Sequence, residues 1–308
     1  MTYWLMTLLL FQTTTLPAPD KALAPGNHER TVTTAEGQRS YTLHLPPQFD
    51  RAKPTPVVLA YHGAFTNGTI MAGFCGLNEK ADREGFVVAY PNGTGLGKVV
   101  LFWNAGLAPA RPGEKRADDV AFTRKILDDL DTVMTVDRKR VFAAGMSNGG
   151  FMVYRLAAEL SDRIAAIAPV GGTMGDADPK PARPVPVIHF HGTADTYVRY
   201  GGLPDSRVPS IVRVRSVADT VSAWARADGC GEKPTVETVP DKVDDGTTVT
   251  RKTFGPGKDG AEVVLYTIQN GGHTWPGREV GGQRLGKSTK DINANDLIWE
   301  FFQKHPMK

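Results

Sequence analysis

The chain has 308 residues, 36 Lys and Arg against 33 Asp and Glu, a net charge of +3 and 41% hydrophobic residues. That length can bury a full core in one α/β domain, and the near-neutral, dispersed charge argues against a nucleic-acid partner. Two cysteines, Cys75 and Cys230, permit one disulfide in an oxidising compartment without requiring it.

The N-terminus, "MTYWLMTLLLFQTTTLPAPDKALAPG", has an apolar run about as long as a signal-peptide core and too short to span a bilayer, although no positive charge precedes it. Residues 1–34 are read as a signal-like leader and disordered segment, and residues 35–308 as a single catalytic domain of an exported protein. From there short β-rich runs alternate with helical patterns, which predicts a mostly parallel central sheet with helices on both faces. "SYTLHLP" (40–46) reads as an edge strand, and "TPVVLAYHG" (55–63) as a central strand covered on both sides. A helix near 76–84, a strand at 85–91 and a long glycine-rich loop carrying Trp103 follow. In the segment 118–134 Phe122, Ile126, Leu130 and Met134 recur at helical spacing, and Asp118 and Asp119 at its start read as a cap and loop anchor.

"KRVFAAG" (139–145) is a strand, and "SNGGFMVYRLAAEL" (147–160) turns at once into a helix. Two further buried strands end near residues 172 and 192, and a helix runs through Val217–Ala227. Arg207, Arg213 and Arg215 nearby read as a solvated loop and helix face. A hairpin is expected at 234–240 and 247–254, a last central strand at 261–268 and an amphipathic helix at 291–304.

The stretch Gly145-Met146-Ser147-Asn148-Gly149 therefore lies between a strand and a helix, as a nucleophile elbow requires. A serine hydroxyl needs a histidine base held by a carboxylate, and on this fold the order along the chain is Ser, Asp, His. Asp195 follows the strand at 185–191 and His273 follows the strand at 261–268, so Ser147, Asp195 and His273 are the expected triad. The oxyanion hole is expected from two backbone N–H groups, those of Asn148 and Ala64, with His62 orienting the loop that bears Ala64. His189 and His191 share one face of a strand but lack further ligands in a recognisable pattern, so they read as core or supporting histidines bonded to backbone, with no metal. Neither a phosphate-binding loop nor a dinucleotide fingerprint is present, and no cofactor is expected.

Together "YHGAFTN", "GLNEKADREGFVVAYPNGTG", "WNAG", "ADDVAF", "GMSNGGFMVYRLA", "HFHGTAD" and "GGHTWPG" resemble the polyhydroxybutyrate-depolymerase-like and feruloyl-esterase group of α/β-hydrolases, related to carbohydrate esterase family 1. The resemblance implies the same triad and an ester substrate. Many relatives carry cysteine where this chain has Ala64, and many pair a cysteine at the position of Cys230 with one shortly before the last strand. Here that segment, "TFGPGKDG", has none.

The short stretch 170–184, rich in proline and glycine, predicts an open cleft without a large lid. Phe65, Trp103, Tyr197 and Trp275 lie on loops at the catalytic end and are expected to form an aromatic platform for substrate. The expected function is a monomeric serine esterase acting on bulky or polymer-linked esters, such as feruloyl or acetyl esters of hemicellulose or hydroxyalkanoate oligomers. It would bind neither nucleic acid nor membrane. Polyhydroxybutyrate depolymerase proper, a peptidase, and a non-catalytic carbohydrate-binding module on the same fold are the alternatives.

Overall fold

The computed structural model describes residues 23–107, 113–175, 177–203, 214–280 and 282–308. In chain order its strands are β1 (Gly26–Thr34), β2 (Gly37–Leu45), β3 (Thr55–Tyr61), β4 (Val87–Pro91), β5 (Thr94–Leu96), β6 (Val100–Phe102), β7 (Val136–Met146), β8 (Ala166–Val170), β9 (Val187–Gly192), β10 (Thr235–Thr238), β11 (Thr248–Phe254) and β12 (Val263–Gln269). The helices are α1 (Gly68–Cys75), α2 (Leu77–Glu84), α3 (Asp119–Val133), α4 (Asn148–Glu159), α5 (Val217–Ala227) and α6 (Ala294–Lys304).

Ten strands form one sheet in the order β1-β2-β4-β3-β7-β8-β9-β12-β11-β10. The six strands from β4 to β12 run parallel, and an antiparallel pair closes each edge. The parallel strands β3, β4, β8 and β9 are buried at every position, which is why they read as largely apolar runs, broken in β9 by His189 and His191. Helices α3, α4 and α5 cover one face of the sheet, and α1, α2 and α6 the other, so two separate cores flank it. On α3, Phe122, Ile126 and Leu130 are fully buried at helical spacing, each contributing about 2 kcal/mol of apolar burial. The Asp118 side chain caps that helix by accepting from the Ala121 N–H. This is the α/β-hydrolase architecture expected from the sequence.

Three segments differ from expectation. Residues 26–34, expected ahead of the domain, form β1, which pairs with β2 through a tight turn. Its mostly half-exposed residues carry little apolar signal, because an edge strand hides only one face. The expected leader up to residue 22 lies outside the described residues, as do Arg207 and Arg213. The glycine-rich loop after β4 contains the β5–β6 hairpin, tied to the chain after β3 by a bridge between Thr66 and Leu101. Helix α1 starts where the Asn67 side chain accepts from the Ile70 N–H, and ends at Gly76 in the left-handed conformation. Between β8 and β9 the described residues form no helix. Cys75 and Cys230 are both free thiols, buried in cores on opposite faces of the sheet.

Candidate active site

Gly63, Ser147, Gly171, Asp195 and His273 all lie just beyond the C-terminal ends of parallel strands, at one pole of the sheet. There β7 gives way to α4 with no intervening loop. A Cβ on Gly145 would sit 2.3 Å from the Gly149 carbonyl oxygen, and one on Gly149 would sit 2.2 Å from the Tyr61 carbonyl oxygen. Both positions are closed to any side chain. Between them Ser147 adopts φ 56° and ψ −119°, a conformation costing a non-glycine residue on the order of 1–3 kcal/mol. Its N–H donates to the Val170 carbonyl at 2.9 Å, and its own carbonyl accepts from Phe151 at 3.1 Å. The strand on one side and the helix on the other thus hold the turn.

The Asp195 side chain is completely buried. Its Oδ1 accepts from the backbone N–H groups of Tyr197 and Val198, both at 2.9 Å, and its Oδ2 takes the His273 Nδ1 at 2.6 Å. A carboxylate only accepts, so the proton of neutral His273 is assigned to Nδ1 and Nε2 keeps a free lone pair. The Tyr197 ring stacks on His273 with centroids 5.1 Å apart. His273 and Ser147 line the same cleft, of about 250 Å³, together with Ala64, Phe65 and Tyr197. An imidazole with a free lone pair and a hydroxyl in one cleft are the parts of nucleophilic catalysis.

Two features orient the expected oxyanion donors. The Gly63 carbonyl accepts from His62 Nδ1 at 2.7 Å and from Thr66 Oγ1 at 2.8 Å. Across a trans peptide, carbonyl and N–H point in opposite directions, so the same contacts fix where the Ala64 N–H points. The neighbouring Phe65 N–H is already engaged by the Leu101 carbonyl at 3.0 Å. His62 Nε2 accepts from the Gly93 N–H at 3.0 Å, which requires a neutral ring, and burial pushes its pKa down to about 4. The ring therefore acts as a fixed spacer for the loop and cannot serve as the base. Asn148 opens α4, where backbone N–H groups have no partner within the helix. Its side chain grips the Trp103 backbone from both sides, accepting from the N–H at 2.7 Å and donating to the carbonyl at 3.3 Å.

The four expected platform aromatics separate. Phe65 is 67% exposed and Tyr197 is 58% exposed, and both line the cleft. Trp103 is buried, donates its indole N–H to the His62 carbonyl at 2.9 Å and packs edge-on against Tyr61. Trp275 is buried as well, with its N–H on Asn295 Oδ1 at 2.9 Å. These two tryptophans hold loops from below and do not face substrate, which corrects the expectation for both. Asp119 is buried too. It accepts from the Asn104 N–H at 2.7 Å and pairs with Arg39 at 2.7 Å, while burial raises its carboxyl above the usual range. It anchors the loop that carries Trp103.

The apolar wall of the cleft went unnoticed in the sequence. Ile70, Met71 and Phe74 of α1 supply it together with Leu285. The one local signal was Asn67 three residues before Ile70, a helix start hidden behind two glycines. Among the described residues, no three His, Cys, Asp or Glu side chains gather as a metal ion would require.

A family model described as esterase PHB depolymerase matches residues 39–228. NocK of Nocardia uniformis subsp. tsuyamanensis, whose name describes an esterase, is 34% identical over 258 residues, covering 80% of this chain and 74% of that protein. Feruloyl esterase B of Piromyces equi is 30% identical over 241 residues, 76% of this chain but only 42% of its own length. Among solved structures, an acetyl xylan esterase from Aspergillus awamori superposes with a TM-score of 0.57 at 16% identity, covering 90% of this chain and 99% of that one. At that identity the likeness concerns the fold.

Proposed function

The chain belongs to the esterase PHB depolymerase family and is a carboxylic ester hydrolase, and from that premise we propose that Ser147, His273 and Asp195 hydrolyse bulky or polymer-linked esters through an acyl-enzyme. The observation that carries this reading is the 2.6 Å bond from His273 Nδ1 to the buried Asp195, which frees Nε2 toward the cleft that Ser147 lines. Ser147 Oγ attacks the ester carbonyl while His273 Nε2 takes its proton. Asp195 holds the ring and stabilises the imidazolium. The N–H groups of Ala64 and Asn148 receive the negative charge that develops on the carbonyl oxygen. His273 then protonates the departing alkoxide, and a water molecule, deprotonated by the same nitrogen, releases the acid and restores Ser147.

The cleft volume of about 250 Å³ suits one acyl group and leaves a polymer or sugar outside. The apolar wall from α1 and the exposed rings of Phe65 and Tyr197 favour an aromatic acyl group, in line with feruloyl esterase B among the relatives. Acetyl esters of hemicellulose and hydroxyalkanoate oligomers are the next substrates in this reading. The apolar run near the N-terminus, about as long as a signal-peptide core, favours export, and we place the protein outside the cell with its hemicellulose esters. Among the described residues no helix is long and apolar enough to cross a membrane.

Ser147→Ala is expected to abolish hydrolysis of a p-nitrophenyl ester without changing the melting temperature by more than about 2 °C, because the half-buried side chain loses only its hydroxyl. Retained hydrolysis would remove Ser147 from the mechanism. Side-by-side assays on methyl ferulate, acetylated xylan, hydroxybutyrate oligomers and a peptide amide then rank the substrates. Cleavage of the amide alone would favour the peptidase reading.

A further inference from the structure

Beneath Asp195 lies a line of buried polar groups that the hydrolytic mechanism does not use. The Tyr154 hydroxyl on α4 is 2.7 Å from His189 Nδ1, His189 Nε2 is 3.1 Å from His191 Nδ1, and His191 Nε2 is 2.7 Å from the Val198 carbonyl. The same His191 nitrogen stands 3.5 Å from Asp195 Oδ2, the oxygen that holds His273. All three side chains are at most 2% exposed.

The last acceptor decides every proton in this line. A carbonyl only accepts, so His191 must carry its proton on Nε2 and present a bare Nδ1 to His189. His189 must then donate from Nε2 and accept at Nδ1, which makes the Tyr154 hydroxyl the donor at the far end. Burial drives both imidazoles toward the neutral form, as this arrangement demands: a second proton on His191 would set two N–H groups face to face, and one on His189 would turn the Tyr154 hydroxyl from donor to acceptor. Three donors thus point head to tail from α4 across β9 to the loop of Asp195. The positive end of the line, the His191 Nε2–H, lies beside a fully buried carboxylate. The sequence placed these histidines in contact with backbone; Val198 supplies that contact for His191, while His189 bonds the Tyr154 and His191 side chains.

We propose that Tyr154, His189 and His191 are positioning residues of the triad: the chain locks the 195–198 turn to the helix that follows the nucleophile, and so sets Asp195 and, through it, His273 relative to Ser147. This rests on the triad reading above. Val198 is the junction, because its N–H donates to Asp195 Oδ1 while its carbonyl accepts from His191 Nε2. Two surrounding contacts hold His191 itself. The Tyr200 ring packs edge-on against it at 5.8 Å, and the Tyr200 hydroxyl bonds Thr267, which pairs with His191 in register on β12.

The test compares His191→Gln with His191→Asn, using kcat and KM on a p-nitrophenyl ester with Ser147→Ala as the control. Glutamine places its amide where Nε2 was and can still donate to Val198, whereas asparagine stops at the Nδ1 position. His191→Asn is expected to lose kcat by about tenfold or more at unchanged KM, and His191→Gln to stay within about threefold of the parent. Tyr154→Phe, which keeps the packing against Trp224, leaves His189 Nδ1 without its donor and cuts the line from α4, and is expected to lower kcat about threefold, again at constant KM. Equal kcat in the Gln and Asn variants would overturn the proposal, since a purely space-filling histidine does not distinguish them by donor position. Should the Asn variant fail to fold, unchanged kcat in Tyr154→Phe overturns it. An active Ser147→Ala protein would instead refute the triad reading, leaving the two failures distinct.

Discussion

The four aromatic residues at the catalytic pole divide into a floor and a rim. Trp103 and Trp275 form the floor, each buried with its indole N–H spent on a partner. Phe65 and Tyr197 form the rim, with most of their rings in solvent. An indole under a loop both fills space and ties down a polar group, whereas a phenyl or phenol ring at an open mouth presents apolar surface to whatever enters. Proximity to the triad therefore says little about whether an aromatic residue meets substrate, and what lies above it decides.

Substitutions should separate floor from rim by what they disturb. The largest effect is expected from Trp275→Ala, which empties a fully buried site and strands Asn295 Oδ1, costing about 3–5 kcal/mol in denaturant unfolding. A loss below about 1 kcal/mol would move Trp275 back to the rim.

Acid should weaken the floor next. An unfolded imidazole titrates near pH 6.5, while folded His62 does so at about 4. Between those values the unfolded chain binds more protons, so the stability from keeping His62 neutral is complete above pH 6.5 and is lost as pH falls toward 4. At pH 5 the loss from this residue is about 2 kcal/mol. Unfolding measured from pH 7 to 5 should fall less steeply in His62→Asn, which retains a donor toward the Gly63 carbonyl. His189 and His191 add to the slope in the same direction in both proteins.

Trp103→Phe removes the indole N–H with part of the buried ring and leaves the His62 carbonyl short of a partner, for about 1–2 kcal/mol from the lost bond. Its kcat should fall as well, because the Ala64 loop loosens; an unchanged kcat would detach that loop from the oxyanion site. Smallest in stability is Tyr197→Ala, expected within about 0.5 kcal/mol of the parent. Its effect should appear in substrate binding instead, as a rise of a few-fold in KM for methyl ferulate, worth roughly 0.5–1.5 kcal/mol of ring contact. Equal KM values for ferulate and acetate esters in parent and variant would end the aromatic-acyl reading.

The elbow around Ser147 was legible because everything it needs is local: an apolar strand, two glycines with no space beside them, and a helix starting at the next residue. The central strands were legible for a related reason, since burial on both faces leaves runs such as β3 and β8 almost wholly apolar. So was α3, whose apolar residues repeat with the helix. Helix α1 and β1 carried no comparable period, one being apolar nearly all round and the other mostly half-exposed.

By itself, then, the amino-acid sequence determined the fold class, the order of Ser147, Asp195 and His273, and the strand ends on which they sit, because these follow from patterns within a few residues. Only the tertiary structure decided which aromatics are floor and which are rim. Trp275 is held by Asn295 of α6 and Trp103 by the carbonyl of His62, partners far along the chain that no local pattern encodes. The direction of the Tyr154–His189–His191 chain follows from a nearer acceptor, the carbonyl of Val198 in the turn after β9, together with Tyr154 on another element.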